Sequence, residues 1–328
     1  MLLPFSRKAP REASLPAPAP RRPLLGVALG GGAARGWAHV GVMRELDAEG
    51  LSPDIVVGTS SGAVVGGCYA AGKLDDIEEF TLSLTKRRVF GLMDMSFRGS
   101  GLLAGARLKA RLEASLGDRC IEDLPIKFAA VAAEVGSGHE IWLTRGPLAD
   151  AVRASYALPG IFEPVKFRGR WLFDGALVNP LPVSVCRAMG AQVVLAVNLL
   201  SDSTGRGSVM MDPAEPHGAL TGPDAADAGE TAGAKPRDGF FRRAFGSAPT
   251  GAPGIATVMS DAFNITQDRI ARSRLAGDPP DVLLSARLGR IGMFEFHRAA
   301  EMIEIGREAV RKSLPDIRAQ IVAVAATM

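Results

Sequence analysis

Between Leu24 and Gly67 the chain makes the same move twice: a short apolar run ends in glycine, and a helical pattern rich in small residues follows. Leu24–Leu29 reads as a first strand, turned by Gly30, Gly31 and Gly32. A helix from about Ala33 carries Val40, Met43 and Leu46 on one face and stops at Gly50. Asp54–Val57 reads as a second buried strand, and after "GTSSG" a second helix runs to Gly72. Two β-α units in succession predict an α/β chain with a parallel sheet covered by helices. Further along, Leu108, Leu112 and Leu116 mark an amphipathic helix. Residues 126–135 and 140–146 read as strands around a Gly-Ser-Gly turn, 171–182 as a strand ending in a turn, and 191–200 as a fully buried strand. Helices are expected near 256–276 and 294–314, with a final apolar-rich segment after Pro315.

A chain of 328 residues, 47% of them hydrophobic, can bury a large core. Aromatics are only 6%, so the layers are expected to pack closely through Gly and Ala. There is no uninterrupted apolar stretch of membrane-spanning length, and no transmembrane segment is expected. The first residues lack a signal-peptide core. Cys68, Cys120 and Cys186 are scattered and odd in number, which fits neither a disulfide framework nor a metal site and suggests a reducing, cytoplasmic setting. Residues 1–23 hold five basic residues, one acidic residue and six prolines, whereas the remaining 33 basic and 34 acidic residues nearly cancel. That arm is expected to be a disordered, solvated tail. Its sharper alternative is an electrostatic tether to anionic lipid at the inner face of the membrane. Residues 201–255 contain 10 Gly and 6 Pro and read as a low-complexity insertion. Within it "RDGFFRRAF", 237–245, is a candidate for peripheral membrane contact. The division expected is therefore an arm at 1–23, a core at 24–200, the insertion at 201–255, and a helical part at 256–328 that completes the same domain. No aromatic-interleaved basic face argues for nucleic acid.

The turn between the second strand and its helix fits G-x-S-x-G, with Ser60 between Gly58 and Gly62. A serine at a sharp strand-to-helix corner needs glycine two positions to either side, because side chains there would collide. The corner lifts the hydroxyl above the sheet. The pattern alone is weak, and its setting between a strand and a small-residue helix strengthens it. Ser61 has no glycine pair centred on it and is expected to start the helix.

A nucleophilic serine needs an oxyanion site and a base. The run at Gly30, Gly31 and Gly32 ends a strand and opens a helix, so bare N–H groups converge with the helix dipole there. A dinucleotide fingerprint competes for these glycines. Gly30-x-Gly32-x-x-x-Gly36 is one residue too long for it, and Asp54 begins its strand rather than ending it. For the base, none of His39, His139, His217 and His297 has a motif around it. His39 falls inside the first helix as a packed or capping residue. Asp174 ends an apolar strand just before Gly175 and Ala176, where active sites of parallel sheets gather, and an apolar lead-in would hold its pKa up.

These residues resemble the patatin-like phospholipases, especially their bacterial members. The likeness runs from about Leu24 to Leu200 and again from Ile255 to Val310. It is carried by "GGGAARG" at 30–36, "GTSSG" at 58–62, "RASYALPGIFEPV" at 153–165 and "DGA" at 174–176, in the family's order. The resemblance implies a three-layer α/β/α fold with a mainly parallel central sheet, and a lipid acyl ester hydrolase working through a serine–aspartate dyad without histidine. Ser60 matches the nucleophile and Asp174, with Gly175 and Ala176 behind it, the base. Gly30, Gly31, Gly32, Ala33, Arg35 and Gly36 match the oxyanion stretch, with Gly31 and Gly32 inside its glycine run, and which of its N–H groups donate stays open. The implied substrate is a phospholipid or lysophospholipid, with no metal or organic cofactor. Two other readings stay open: a catalytically weak lipid-binding or regulatory protein on the same fold, and a hydrolase with a histidine triad through His217 or His297.

Overall fold

The computed structural model describes residues 22–92, 101–103, 105–200 and 254–328. Residues 1–21 of the arm and the 237–245 segment singled out above lie outside the described residues. In chain order the elements are β1 (Leu25–Leu29), a 3-10 turn (Ala33–Trp37) leading into α1 (Ala38–Ala48), β2 (Ile55–Thr59), α2 (Ser61–Ala70), α3 (Leu74–Leu82) and α4 (Lys86–Leu92). Then come β3 (Gly101–Leu103), α5 (Ala106–Leu116), β4 (Lys127–Glu134), β5 (Glu140–Leu143), α6 (Leu148–Tyr156), β6 (Gly160–Phe162), β7 (Val165–Phe167) and β8 (Arg170–Asp174). After a 3-10 turn (Gly175–Leu177) follow α7 (Val183–Ala188), β9 (Val193–Asn198), α8 (Ile255–Gly277), β10 (Val282–Ser285) and α9 (Ala299–Ala325).

The main sheet runs β10-β9-β1-β2-β4-β8-β7, with β5 also paired to β4. The pairings among β10, β9, β1, β2 and β4 are parallel, whereas β5 and β8 pair antiparallel to opposite edges of β4, and β7 pairs antiparallel to β8. Alternation along the strands divides the core in two, since successive side chains point to opposite faces. Leu25, Val27, Leu29, Val56, Leu195 and Val197 join the larger cluster, beneath helices that include α1, α2 and α9. Ala28, Ile55, Val57, Val194 and Ala196 join the second, under α7 and Leu275 of α8. Helices on both faces of a mostly parallel sheet make this the expected three-layer α/β fold.

The small residues do what the composition suggested. α1 and α9 cross backbone to backbone: a Cβ on Gly41 would stand 1.8 Å from Ile303 O, and one on Gly306 2.0 Å from Ala38 O. The crossing is tied at its side by buried Glu45, which accepts from Arg311 Nε at 2.6 Å. This clamp fixes the helix that leads out of the glycine run.

One expectation is corrected. Pro315 does not separate a helix from a terminal segment; it sits inside α9, which continues to Ala325. A proline removes one backbone bond and costs about 3 kcal/mol in a helix interior. Here Pro315 is exposed, so water can satisfy the carbonyl it leaves. Val310 and Ile317, with Ile321 and Val324 behind them, keep one apolar stripe packed on the core across it. The Arg318–Glu49 ion pair at 2.7 Å adds a polar anchor past the proline. Packing of the amphipathic face outweighs the local break.

Candidate active site

Three loops meet at the carboxyl ends of the central strands. β1 delivers the glycine run, β2 delivers Ser60, and β8 delivers Asp174 from the antiparallel side. Ser60 takes φ 56° and ψ −121°, a strained conformation for a residue with a side chain. The strain is held by what lies under it. A Cβ on Gly58 would be 2.4 Å from Ala63 N, and one on Gly62 would be 2.1 Å from Leu29 O. The corner is thus as tight as the spelling requires, and α2 begins at Ser61 as expected.

Ser60 Oγ donates to Asp174 Oδ2 at 2.7 Å. The second carboxylate oxygen, Oδ1, accepts the Ala176 N–H at 2.8 Å, so the Asp-Gly-Ala turn orients the carboxylate it follows. Asp174 is 1% exposed. Burial pushes its carboxyl from the ordinary 3.8 up to about 7, against the opposing pull of the Ala176 N–H and the Ser60 hydroxyl. Below Ser60, its N–H donates to Ser155 Oγ at 2.9 Å, and Ser155 donates onward to Val131 O at 2.6 Å. Thr59 Oγ1 donates to Asn179 O at 2.8 Å, which ties the elbow to the chain just past Asp174.

The glycine run divides its amides between structure and cavity. Gly30 N–H donates to Val197 O at 3.2 Å and Gly31 N–H to Pro180 O at 2.9 Å. These two amides are therefore spent on the sheet end and the loop before α7. Gly32 and Ala33, whose N–H groups have no partner among the described residues, line the same cavity as Ser60 and Asp174. Ala33 holds a positive φ of 49°. Arg35 Nε donates to Ile291 O at 2.8 Å, fastening the turn to a distant loop. Gly36 packs on Ser61, where a Cβ would come within 2.3 Å of the serine Cβ.

His39 has a role the sequence did not reveal. It is fully buried, and its Nε2 lies 2.7 Å from Gly30 O, pinning the glycine run from beneath. Burial lowers its pKa to about 4 despite that bond, so the ring is neutral at ordinary pH. Among the described residues no histidine bonds Ser60 or Asp174. His139 sits in the exposed turn after β4, His297 in the 3-10 turn before α9, and His217 lies outside the described residues. Asp54, the acid of the dinucleotide alternative, accepts the Leu25 N–H and the Arg22 guanidinium at the opposite end of the strands.

The cavity in front of Ser60 measures about 210 Å³. Its lining is mostly apolar, with Val64, Ile77, Phe80, Leu112, Phe263 and Phe296 contributing. Two polar residues near the Ser60–Asp174 hydrogen bond escaped sequence reasoning. Ser155 stood inside the quoted "RASYALPG" stretch but had no role there. Gln267 of α8 carried no signal at all, since it lies on a helix in a region without a motif.

The patatin-like phospholipase family matches residues 27–187. An uncharacterized NTE family protein of Mycobacterium tuberculosis is 33% identical over 343 aligned residues, spanning 92% of this chain and 95% of the relative. A patatin-like phospholipase domain-containing protein of Caenorhabditis elegans is 35% identical over 53% of this chain and 13% of its own length. A protein of Emericella nidulans named lysophospholipase is 32% identical over 56% of this chain and 12% of its own length. Among solved structures, VipD from Legionella pneumophila aligns with 94% of this chain and 67% of its own, at a TM-score of 0.43 and 12% identity. A match over nearly the full length of both chains, together with the family match over the Ser60 turn and the Asp174 turn, decides membership: the chain belongs to the patatin-like phospholipase family.

Proposed function

We propose that this protein hydrolyses acyl esters of lipids through a Ser60–Asp174 dyad. The observation that carries the reading is the 2.7 Å hydrogen bond from Ser60 Oγ to a buried carboxylate, on a strained corner that opens into an apolar cavity. The ester's acyl chain lies along that lining. Ser60 Oγ attacks the carbonyl carbon while Asp174 takes its proton. A carboxyl held near 7 is a competent acceptor at neutral pH and a competent donor in the next step. The carbonyl electron pair moves to oxygen, and the Gly32 and Ala33 amides receive the oxyanion; one such donor is worth about 2.7–4 kcal/mol. Gly31 is left out of this pair because its amide is already bonded to Pro180 O. Collapse expels the alcohol, which takes the proton from Asp174. Water, deprotonated by the same carboxylate, then releases the acyl group.

The name of the Emericella nidulans relative supports a lysophospholipid as substrate, and the family's name a phospholipid. No helix among the described residues is long and apolar enough to cross a membrane, so we assign the meeting with lipid to peripheral contact. We take residues 24–200 with 256–328 as the catalytic body, and the basic arm and 201–255 as its additions. The test is labelling with a fluorophosphonate beside hydrolysis of lysophosphatidylcholine vesicles and micelles. Wild type is expected to label and hydrolyse, and Ser60→Ala to do neither while keeping its thermal midpoint. A folded wild type that never labels supports a binding role instead.

A further inference from the structure

We propose that Gln267 is a further substrate-contacting residue, whose carboxamide N–H donates to the ester carbonyl oxygen as negative charge develops on it. The inference rests on the reading in which Ser60 attacks an acyl ester. Glutamine is ordinarily a surface residue, yet Gln267 is 1% exposed. Neither its Nε2 nor its Oε1 has a hydrogen-bond partner among the described residues. Buried polar groups are paired in nearly all folded proteins, so an unpaired carboxamide in a cavity points to a ligand that completes it. The cavity is the one lined by Gly32, Ala33, Ser60 and Asp174.

Its position narrows the role. The point where a Gly31 Cβ would stand is 3.0 Å from Gln267 Oε1, 3.4 Å from Ala176 Cβ and 3.6 Å from Ser60 Cβ. The carboxamide therefore flanks the glycine run on the side where Ser60 attacks. α8, which carries it, packs on the Gly175–Leu177 turn that orients Asp174, and Phe263 one turn earlier lines the same cavity. The side chain is thereby placed by a helix rather than a loop. Which terminal atom faces the glycines is settled by bonding, since a half-turn about the last torsion exchanges N and O. An ester offers only acceptors, and a developing oxyanion selects the N–H. The step balances as in the dyad reading: Oγ forms a bond to carbon, its proton goes to Asp174, the carbonyl pair moves to oxygen, and Gln267 joins Gly32 and Ala33 as donor. No reagent beyond ester and water is involved.

The test compares wild type, Gln267→Met and Gln267→Glu as full chains on p-nitrophenyl butyrate. It also measures inhibition by an alkyl trifluoromethyl ketone, which forms an oxyanion on serine, and by the corresponding secondary alcohol, which does not. Expected is a loss of about 10²-fold in kcat for both variants with KM little changed. The trifluoromethyl ketone should weaken in proportion to kcat/KM, and the alcohol should bind as before. A kcat within twofold of wild type, a rise confined to KM, or equal weakening of both inhibitors overturns the proposal. If Gln267→Met loses its fold, Gln267→Glu, which keeps the volume, decides. A wild type that neither labels at Ser60 nor cleaves the ester overturns the serine reading itself. An active, labelled wild type with undamaged Gln267 variants overturns only the role of Gln267.

Discussion

Replacing Asp174 with Asn separates the cost of the site from its use. Asn keeps the shape: its Oδ1 can still accept the Ala176 N–H, and its amide replaces the oxygen that faces Ser60. The carboxyl titrates near 7 in the folded chain, against 3.8 for its ordinary value. Its pKa is raised on folding, so the native state holds the proton longer than the unfolded state. Stability from this group is fully present below about pH 4 and is lost as pH rises through about 7. Raising the carboxyl from 3.8 to about 7 makes the ionised carboxylate cost on the order of 4 kcal/mol at pH 8. Asn never ionises and escapes that cost. Urea unfolding from pH 4 to 8.5 should therefore show Asp174→Asn gaining on wild type by a few kcal/mol between pH 4 and 7, then staying level. Over the same range esterase activity of wild type should climb through a midpoint near 7, because the base must be deprotonated, and the variant's kcat should sit about 10²-fold lower or more. A stability difference that does not change with pH would refute the claim that Asp174 is held in a desolvating site. An activity profile with no rise near neutrality would refute its use as the base.

Ser60→Ala should abolish fluorophosphonate labelling, and Ser61→Ala should leave the adduct on Ser60, located by mass spectrometry of the labelled peptide. Ser155→Ala leaves the Ser60 N–H and Val131 O without their partner, and urea denaturation should register a loss of about 1–3 kcal/mol. Leu112→Trp narrows the apolar cavity, so the ratio of long-chain to short-chain p-nitrophenyl ester hydrolysis should fall by tenfold or more while butyrate is still cleaved.

Much of this site was readable because backbone geometry leaves a spelling in the chain. The corner at Ser60 can form only if residues 58 and 62 have no Cβ, since a Cβ there would stand 2.4 and 2.1 Å from neighbouring backbone atoms. The strands at 127–134 and 193–198 fall inside the apolar runs that announced them, because strands buried on both faces need uninterrupted apolar sequence. What could not be read is what depends on long-range packing. Gln267 becomes special only when α8 folds across the Asp174 turn, and its neighbours in sequence give no hint of that. Likewise α9 passes through Pro315 because a stripe of apolar residues docks on α1, a fact of tertiary structure that local propensity contradicts. The division within the glycine run was hidden for the same reason: only the partners Val197 and Pro180 distinguish the amides that hold the loop from the two beyond them that have no partner among the described residues.

The buried histidine supplies the remaining argument about the base. A histidine can serve Ser60 only if it reaches the hydroxyl and can become imidazolium. His39 meets neither condition: its Nε2 is engaged with Gly30 O, and burial holds its pKa near 4, so protonation at neutral pH is strongly disfavoured. Its ring instead fixes the loop whose next residues after Gly31, Gly32 and Ala33, line the cavity. His39→Gln, which can keep a donor to Gly30 O, should therefore retain far more activity than His39→Leu, which leaves that carbonyl buried and unpaired. The rate lost in His39→Leu should not be restored by added imidazole, as it would be if a missing base were the cause. Rescue by imidazole, or a His39→Gln enzyme as inactive as Asp174→Asn, would return the proton to histidine and remove it from Asp174.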